Sequence, residues 1–185
     1  MVKFVFLTYQ NTYRNYKFPK KSPIASQTMK IKLIQVGKTE QEYLLKGIAD
    51  YKKRLEHYTA VAEITIKSPV SAIKQGAEIQ KKAECELFRQ QITPDEMVYL
   101  LDEKGKDFSS VEFAGFLSKL HHQSVKKLTF CIGGPFGFSN ELEKLARGKI
   151  SFSRMTFSHQ MIRLFFWEQM YRAHTILKGE KYHNN

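Results

Sequence analysis

The chain has 185 residues, is 42% hydrophobic and carries 30 Lys+Arg against 18 Asp+Glu, a formal net charge of +12. That length and apolar content support one real core without metal or disulfide staples. The basic excess points to a polyanionic partner such as nucleic acid, and no run approaches the ~18 apolar residues of a membrane helix.

Cys85 and Cys131 stand apart, in no CxxC or His-paired spacing, so the expectation is buried thiols in a reducing, cytoplasmic protein with no metal site. Residues 1–28 contain Lys3, Arg14, Lys17, Lys20 and Lys21 and no acid, are rich in Tyr, Asn and Ser, and show no sustained hydrophobic period. This basic leader reads as poorly ordered or not native, and its Val5-Phe6-Leu7 run is too short for a secretory signal. Met29 reads as the start of a single domain over residues 29–185.

From Met29 onward, Ile31, Leu33, Ile34 and Val36 form a first strand stopped at Gly37. Thr39-x-x-Glu42 has the pattern of a capping box, with Tyr43, Leu44, Ile48, Tyr51 and Leu55 at helical spacing behind it. The β-branched run Val61 to Ile66 predicts a second strand, ended by Ser68-Pro69. Gln75 to Ile92 predicts an amphipathic helix closed by Thr93-Pro94. Met97 to Leu101 is a short apolar strand of the kind covered on both faces, followed by a turn at Gly105. Ser109-x-x-Glu112 opens a helix with Phe113, Phe116, Leu117 and Leu120 as its stripe, and Leu128 to Ile132 is another buried strand.

Strands alternating with helices predict an α/β domain with a mainly parallel sheet, whose ligands sit at the carboxyl ends of the strands. Three segments leave those ends: Leu101-Asp102-Glu103, Gly133 to Phe138, and Phe152 to Phe157. The glycine turn Ile132-Gly133-Gly134-Pro135-Phe136-Gly137 follows a strand, but its spacing fails the GxGxxG dinucleotide fingerprint and it lacks a GK[ST] ending. A nicotinamide-type oxidoreductase is therefore disfavoured.

The helix predicted over Ser158 to Leu177 is apolar almost all round, from Met161, Ile162, Leu164 and Phe165 to Ile176 and Leu177. One sheet face needs only one stripe, so the second face predicts a partner, most economically the same helix of a second copy. Polar residues gather near it: His159 at its start, Arg163 and Arg172 within it, and Glu180-Lys181-Tyr182-His183 after Gly179. The tail can fold back over a site or reach across a dimer.

The order and spacing of these stretches resemble a known family. Met29 to Gly37, Leu101-Asp102-Glu103-Lys104-Gly105, the Ile132 to Gly137 turn, Phe152 to Gln160, Glu168-Gln169-Met170-Tyr171-Arg172-Ala173 and Gly179 to His183 together are similar to the RlmH subgroup of the SPOUT methyltransferases. The resemblance implies a SPOUT-type sheet flanked by helices with a C-terminal deep trefoil knot, a rare exception to ordinary topology. It also implies a homodimer, S-adenosylmethionine (S-adenosyl-L-methionine) as donor, and N3 methylation of pseudouridine 1915 in the 23S rRNA of the assembled ribosome. By the same resemblance the cofactor is held by Leu101, Gly133, Phe152, Ser153, Arg154, Met155, Thr156 and Phe157. His183 is the first candidate for the base and His159 the second, Arg172 the charge stabiliser, and Tyr182 a residue that positions or stacks on the nucleobase. Lys52-Lys53-Arg54 and Lys126-Lys127 are candidate parts of an RNA docking surface. The alternative reading is a non-catalytic RNA- or ribosome-binding module on the same fold.

Overall fold

A computed structural model describes residues 29–183; the expectation for the leader lies outside them. Strand β1 (Lys30–Val36) sends Ile31 and Leu33 into one core cluster and Ile34 into another. A strand covered by helices on both sides needs that pattern. Around it are α1 (Glu42–Leu55), β2 (Val61–Ile66), α2 (Val70–Lys74), α3 (Ala77–Gln91), β3 (Met97–Asp107), α4 (Ser110–His122), β4 (Lys127–Ile132), α5 (Asn140–Leu145), β5 (Gly148–Ser151) and α6 (Met161–Lys178).

The five strands lie in the order β2-β1-β4-β3-β5 and every pairing is parallel. Helices α1, α4 and α6 cover one face, burying Leu55, Leu117, Phe166, Trp167 and Met170; α3 and α5 cover the other, with Cys85, Phe88 and Leu142. The carboxyl ends of all strands therefore share one edge, where an open α/β sheet takes its ligands.

Several sequence expectations are corrected. The predicted turn at Gly105 does not end the third strand: β3 runs on to Asp107, pairing with β5 at Tyr99–Leu101 and again, after a register break, at Lys106 and Asp107. Gly105 lies against the β5 backbone instead, where a β-carbon would stand 2.5 Å from both the nitrogen and the carbonyl carbon of Ile150. The capping box at Ser109 forms, with Ser109 and Glu112 each bonding the other's backbone N–H. The one at Thr39 does not. Helix α1 starts later, at Glu42, without a local side-chain cap, and the Thr39 hydroxyl accepts from Arg163 instead. The predicted helix from Gln75 starts at Ala77, preceded by the separate short α2 behind Pro69. Neither α5 nor β5 has a pattern strong enough to be expected: each is too short to develop a period.

Candidate functional site

The three strand-end segments expected from the sequence line one cavity of about 490 Å³. It is bordered by Leu101 at the end of the β3–β4 pairing, by the turn after β4, and by the segment between β5 and α6. The turn is built from close approach. A β-carbon at Gly133 would sit 3.0 Å from the Gly137 carbonyl oxygen and 3.1 Å from the Phe138 ring, so any side chain there would push the turn open. The turn is closed by the Gly137 N–H donating to the Gly134 carbonyl at 3.0 Å.

The third wall is held by short polar links. Ser151 donates to the Ser153 carbonyl at 2.7 Å, and the Met155 N–H donates to Ser153 Oγ at 2.9 Å. Thr156 reaches across to Glu103 at 3.0 Å, and Arg154 to Asp107 at 3.1 Å. Phe157 packs on Phe165 of α6, ring centroids 4.6 Å apart. Leu101, Gly133, Phe152, Ser153, Met155, Thr156 and Phe157 all line the cavity. Arg154 stands apart from the lining, its side chain 91% exposed and engaged with Asp107.

The four candidates for chemistry fall into two groups. His159 lines the cavity, on the turn that leads into α6. Arg172, Tyr182 and His183 gather at the far end of that helix. Arg172 Nε donates to Glu168 at 2.9 Å, its Nη1 lies 3.4 Å from His183 Nδ1, and its guanidinium stacks 4.7 Å from the Tyr182 ring centroid. The Tyr182 hydroxyl lies 3.3 Å from that of Tyr51 on α1 and donates to Glu168 at 3.2 Å. Burial first, then the Tyr51 hydrogen bond and the Glu168 charge, push the Tyr182 phenol well above its ordinary pKa. Glu180 accepts from Tyr58, which fastens the tail to the turn after α1. Ile162 lines the cavity and Arg172 follows ten residues later, roughly 15 Å along the helix at 1.5 Å per residue. Within one chain the cluster and the cavity are separate.

Arg163 joins neither group. It is 2% exposed, and it donates to the Val36 carbonyl at 2.7 Å and to Thr39 at 2.8 Å. It thereby ties α6 to the end of β1. Of the basic clusters, Lys52 pairs with Glu63, Arg54 with Asp50 and Lys127 with Asp95, so much of their charge is locally balanced.

The sequence reading missed a charged corner of the cavity. Lys149 lies between Glu143, at 2.6 Å, and Asp102, at 3.2 Å, and all three line it. Burial works against the Lys149 ammonium, but both carboxylates outweigh it and its pKa lies above the usual lysine value. Lys149 and Glu143 sit on the two elements too short to be expected, and only the fold brings them to Asp102. Among the described residues no group of His, Cys, Asp and Glu is arranged to hold a metal, and no helix is long and apolar enough to cross a membrane.

Residues 29–183 match a family model described as "Predicted SPOUT methyltransferase". The chain is 50% identical over 157 residues to a protein of Flavobacterium psychrophilum named Ribosomal RNA large subunit methyltransferase H, covering 84% of this chain and 99% of the relative. It is 46% identical over 156 residues to a protein of the same name from Cytophaga hutchinsonii, covering 84% of this chain and all of that one. Among solved structures, a probable methylase family protein from Haemophilus influenzae Rd KW20 superposes with a TM-score of 0.47 at 12% identity, over 86% of this chain and 71% of that chain.

Proposed function

We propose, on the premise that this chain belongs to the SPOUT methyltransferase family, that it transfers a methyl group from S-adenosylmethionine to N3 of a pseudouridine in 23S rRNA of the assembled ribosome. The observation that carries the reading is the convergence of the three strand-end segments on one cavity. Its roughly 490 Å³ falls within the ~300–1,000 Å³ of ordinary small-molecule sites. Its wall joins apolar Leu101, Phe152, Met155 and Phe157 to a charged corner of Lys149 with Glu143 and Asp102, which offers no cationic cradle for phosphates and suits an adenosine.

Bound there, the donor supplies an already electrophilic sulfonium methyl. The protein's part is to align, to exclude water and to handle a proton. Leu101, Gly133, Met155 and Phe157 would hold the adenosine, while Phe152, Ser153, Arg154 and Thr156 shape and brace the wall between β5 and α6. The acceptor N3–H lies between two carbonyls; methyl transfer to N3 would break the donor's S–CH3 bond and leave a neutral thioether, and a histidine would take the N3 proton. Arg172 stabilises the negative charge that spreads onto the carbonyl oxygens, and Tyr182 positions the base.

His183 remains the first choice of base and His159 the second. The ~15 Å along α6 between the Arg172 cluster and the cavity supports a homodimer, in which the tail of one copy completes the cavity of the other. The deep trefoil knot of the family belongs to the same proposal. Residues 29–185 then form the methyltransferase domain, working in the cytoplasm where its ribosomal substrate is.

The test is deletion of the gene followed by mass mapping of 23S rRNA. Loss of one methyl group from one pseudouridine is expected, and restored by the plasmid-borne gene. An unchanged modification pattern would overturn the proposal.

A further inference from the structure

Lys149, Glu143 and Asp102 form a corner whose unused valences suit a ligand end that both accepts and donates a hydrogen bond. A lysine ammonium has three N–H donors. Two are taken, by Glu143 Oε1 at 2.6 Å and by Asp102 Oδ2 at 3.2 Å. Both Asp102 oxygens have a protein partner, the other one accepting the Lys104 backbone N–H at 2.9 Å. Glu143 has one bare oxygen: its Oε2 has no protein partner among the described residues. One N–H donor on Lys149 and one carboxylate oxygen on Glu143 are therefore left side by side on a cavity wall.

Two carboxylates on one ammonium leave a net negative charge, and the three side chains retain 17–36% exposure on a wall shared with apolar Leu101, Phe138 and Ile150. Partial burial strengthens charge-assisted hydrogen bonds made there relative to open water. An adenine offers no ionic group to such a corner, and a ribose offers neither charge. A zwitterionic α-amino acid offers both: a carboxylate for the Lys149 donor and an ammonium for the Glu143 oxygen.

Resting on the cofactor reading above, the geometry points to Lys149 and Glu143 as the subsite for the amino-acid end of the donor. Asp102 acts as a positioning residue that fixes the Lys149 ammonium. The acidic surplus then opposes the net charge of a cationic donor and rejects nucleosides bearing anionic groups.

Two ligands isolate this end, because S-adenosylhomocysteine and 5′-methylthioadenosine share the adenosyl thioether and only the first carries an amino acid. Calorimetry on the full chain should show S-adenosylhomocysteine binding the tighter. Glu143→Gln and Lys149→Met should each weaken S-adenosylhomocysteine by about tenfold while leaving 5′-methylthioadenosine within about twofold. Asp102→Asn should show a smaller loss of the same selective kind. Equal losses for both ligands, or no loss for either, would overturn the assignment, because the corner would then serve the adenosine or the fold alone. A wild-type chain that binds neither ligand would instead bring down the cofactor reading itself.

Discussion

The backbone of Ile150 occupies the space a side chain on Gly105 would need: a β-carbon there would stand 2.5 Å from its nitrogen and its carbonyl carbon. Both partners are backbone, so no rotamer change relieves the clash. Gly105→Ala is expected to cost about 3 kcal/mol, at the upper end of ordinary overpacking. That would lower the melting temperature by roughly 6–12 °C for a chain of this size. Because β5 leads into the cavity wall, ligand binding should weaken at temperatures where the variant is still folded.

The segment that leads into α1 is held from elsewhere in the chain. Gln160 Oε1 accepts the N–H of Glu40 at 2.8 Å and that of Gln41 at 3.2 Å, whereas α4 is capped by its own Ser109. Ser109→Ala should cost about 1 kcal/mol, the usual value of a cap, and Gln160→Ala, which removes two hydrogen bonds to the α1 lead-in, should cost about 1 kcal/mol as well. Urea denaturation followed by circular dichroism measures both. A Thr39→Ala change, in contrast, should act through Arg163.

Arg163 has no carboxylate within ion-pair distance among the described residues, and burial lowers its pKa. Its planar fork reaches a carbonyl and a hydroxyl at once, which a lysine cannot reproduce. Arg163→Lys should therefore lose roughly 1–3 kcal/mol in denaturant titrations, and the cavity-lining residues at the start of α6 should lose amide-exchange protection with it.

A homodimer completed by exchanged tails has a genetic signature. His183→Ala removes a tail function, and Thr156→Trp blocks the cavity from its exposed lip. Each variant alone should be inactive. After subunit mixing, half the dimers are heterodimers with one intact site of two, so about a quarter of wild-type methyl transfer should return. No recovery, with mixed dimers verified by mass spectrometry, would exclude a shared site.

The acid limb of stability should be set in part by Asp95 and Glu96. Thr93 first and Lys127 next hold the Asp95 carboxyl at about 2, against an ordinary 3.8. Burial pushes Glu96 up, yet hydrogen bonds from Lys32, Thr129 and Thr93 keep it below 4.5. The unfolded chain then binds protons that the native one refuses, so this stability is complete above about pH 5 and drains as the pH falls toward 2. Asp95→Asn should flatten that part of the urea-midpoint profile; a slope identical to wild type would refute the assignment.

The sequence by itself determined the alternation of strands and helices, the parallel sheet and the three segments at its carboxyl edge, because hydrophobic period and β-branched runs are local signals. Ser109 announced its helix for the same reason: its capping partner, Glu112, is three residues away. Thr39 carried the same motif and failed, since buried Arg163 claims its hydroxyl and Gln160 holds the backbone just ahead of the helix. Gly105 looked like a turn because a glycine in sequence does not say whether it bends the chain or admits another strand. Lys149 and Glu143 lie on a four-residue strand and a six-residue helix, too short to show a period, and meet Asp102 only across the sheet. Tertiary structure alone decided the charged corner of the cavity and the separation of His159 from Arg172, Tyr182 and His183, because both depend on distances between elements that no local pattern encodes.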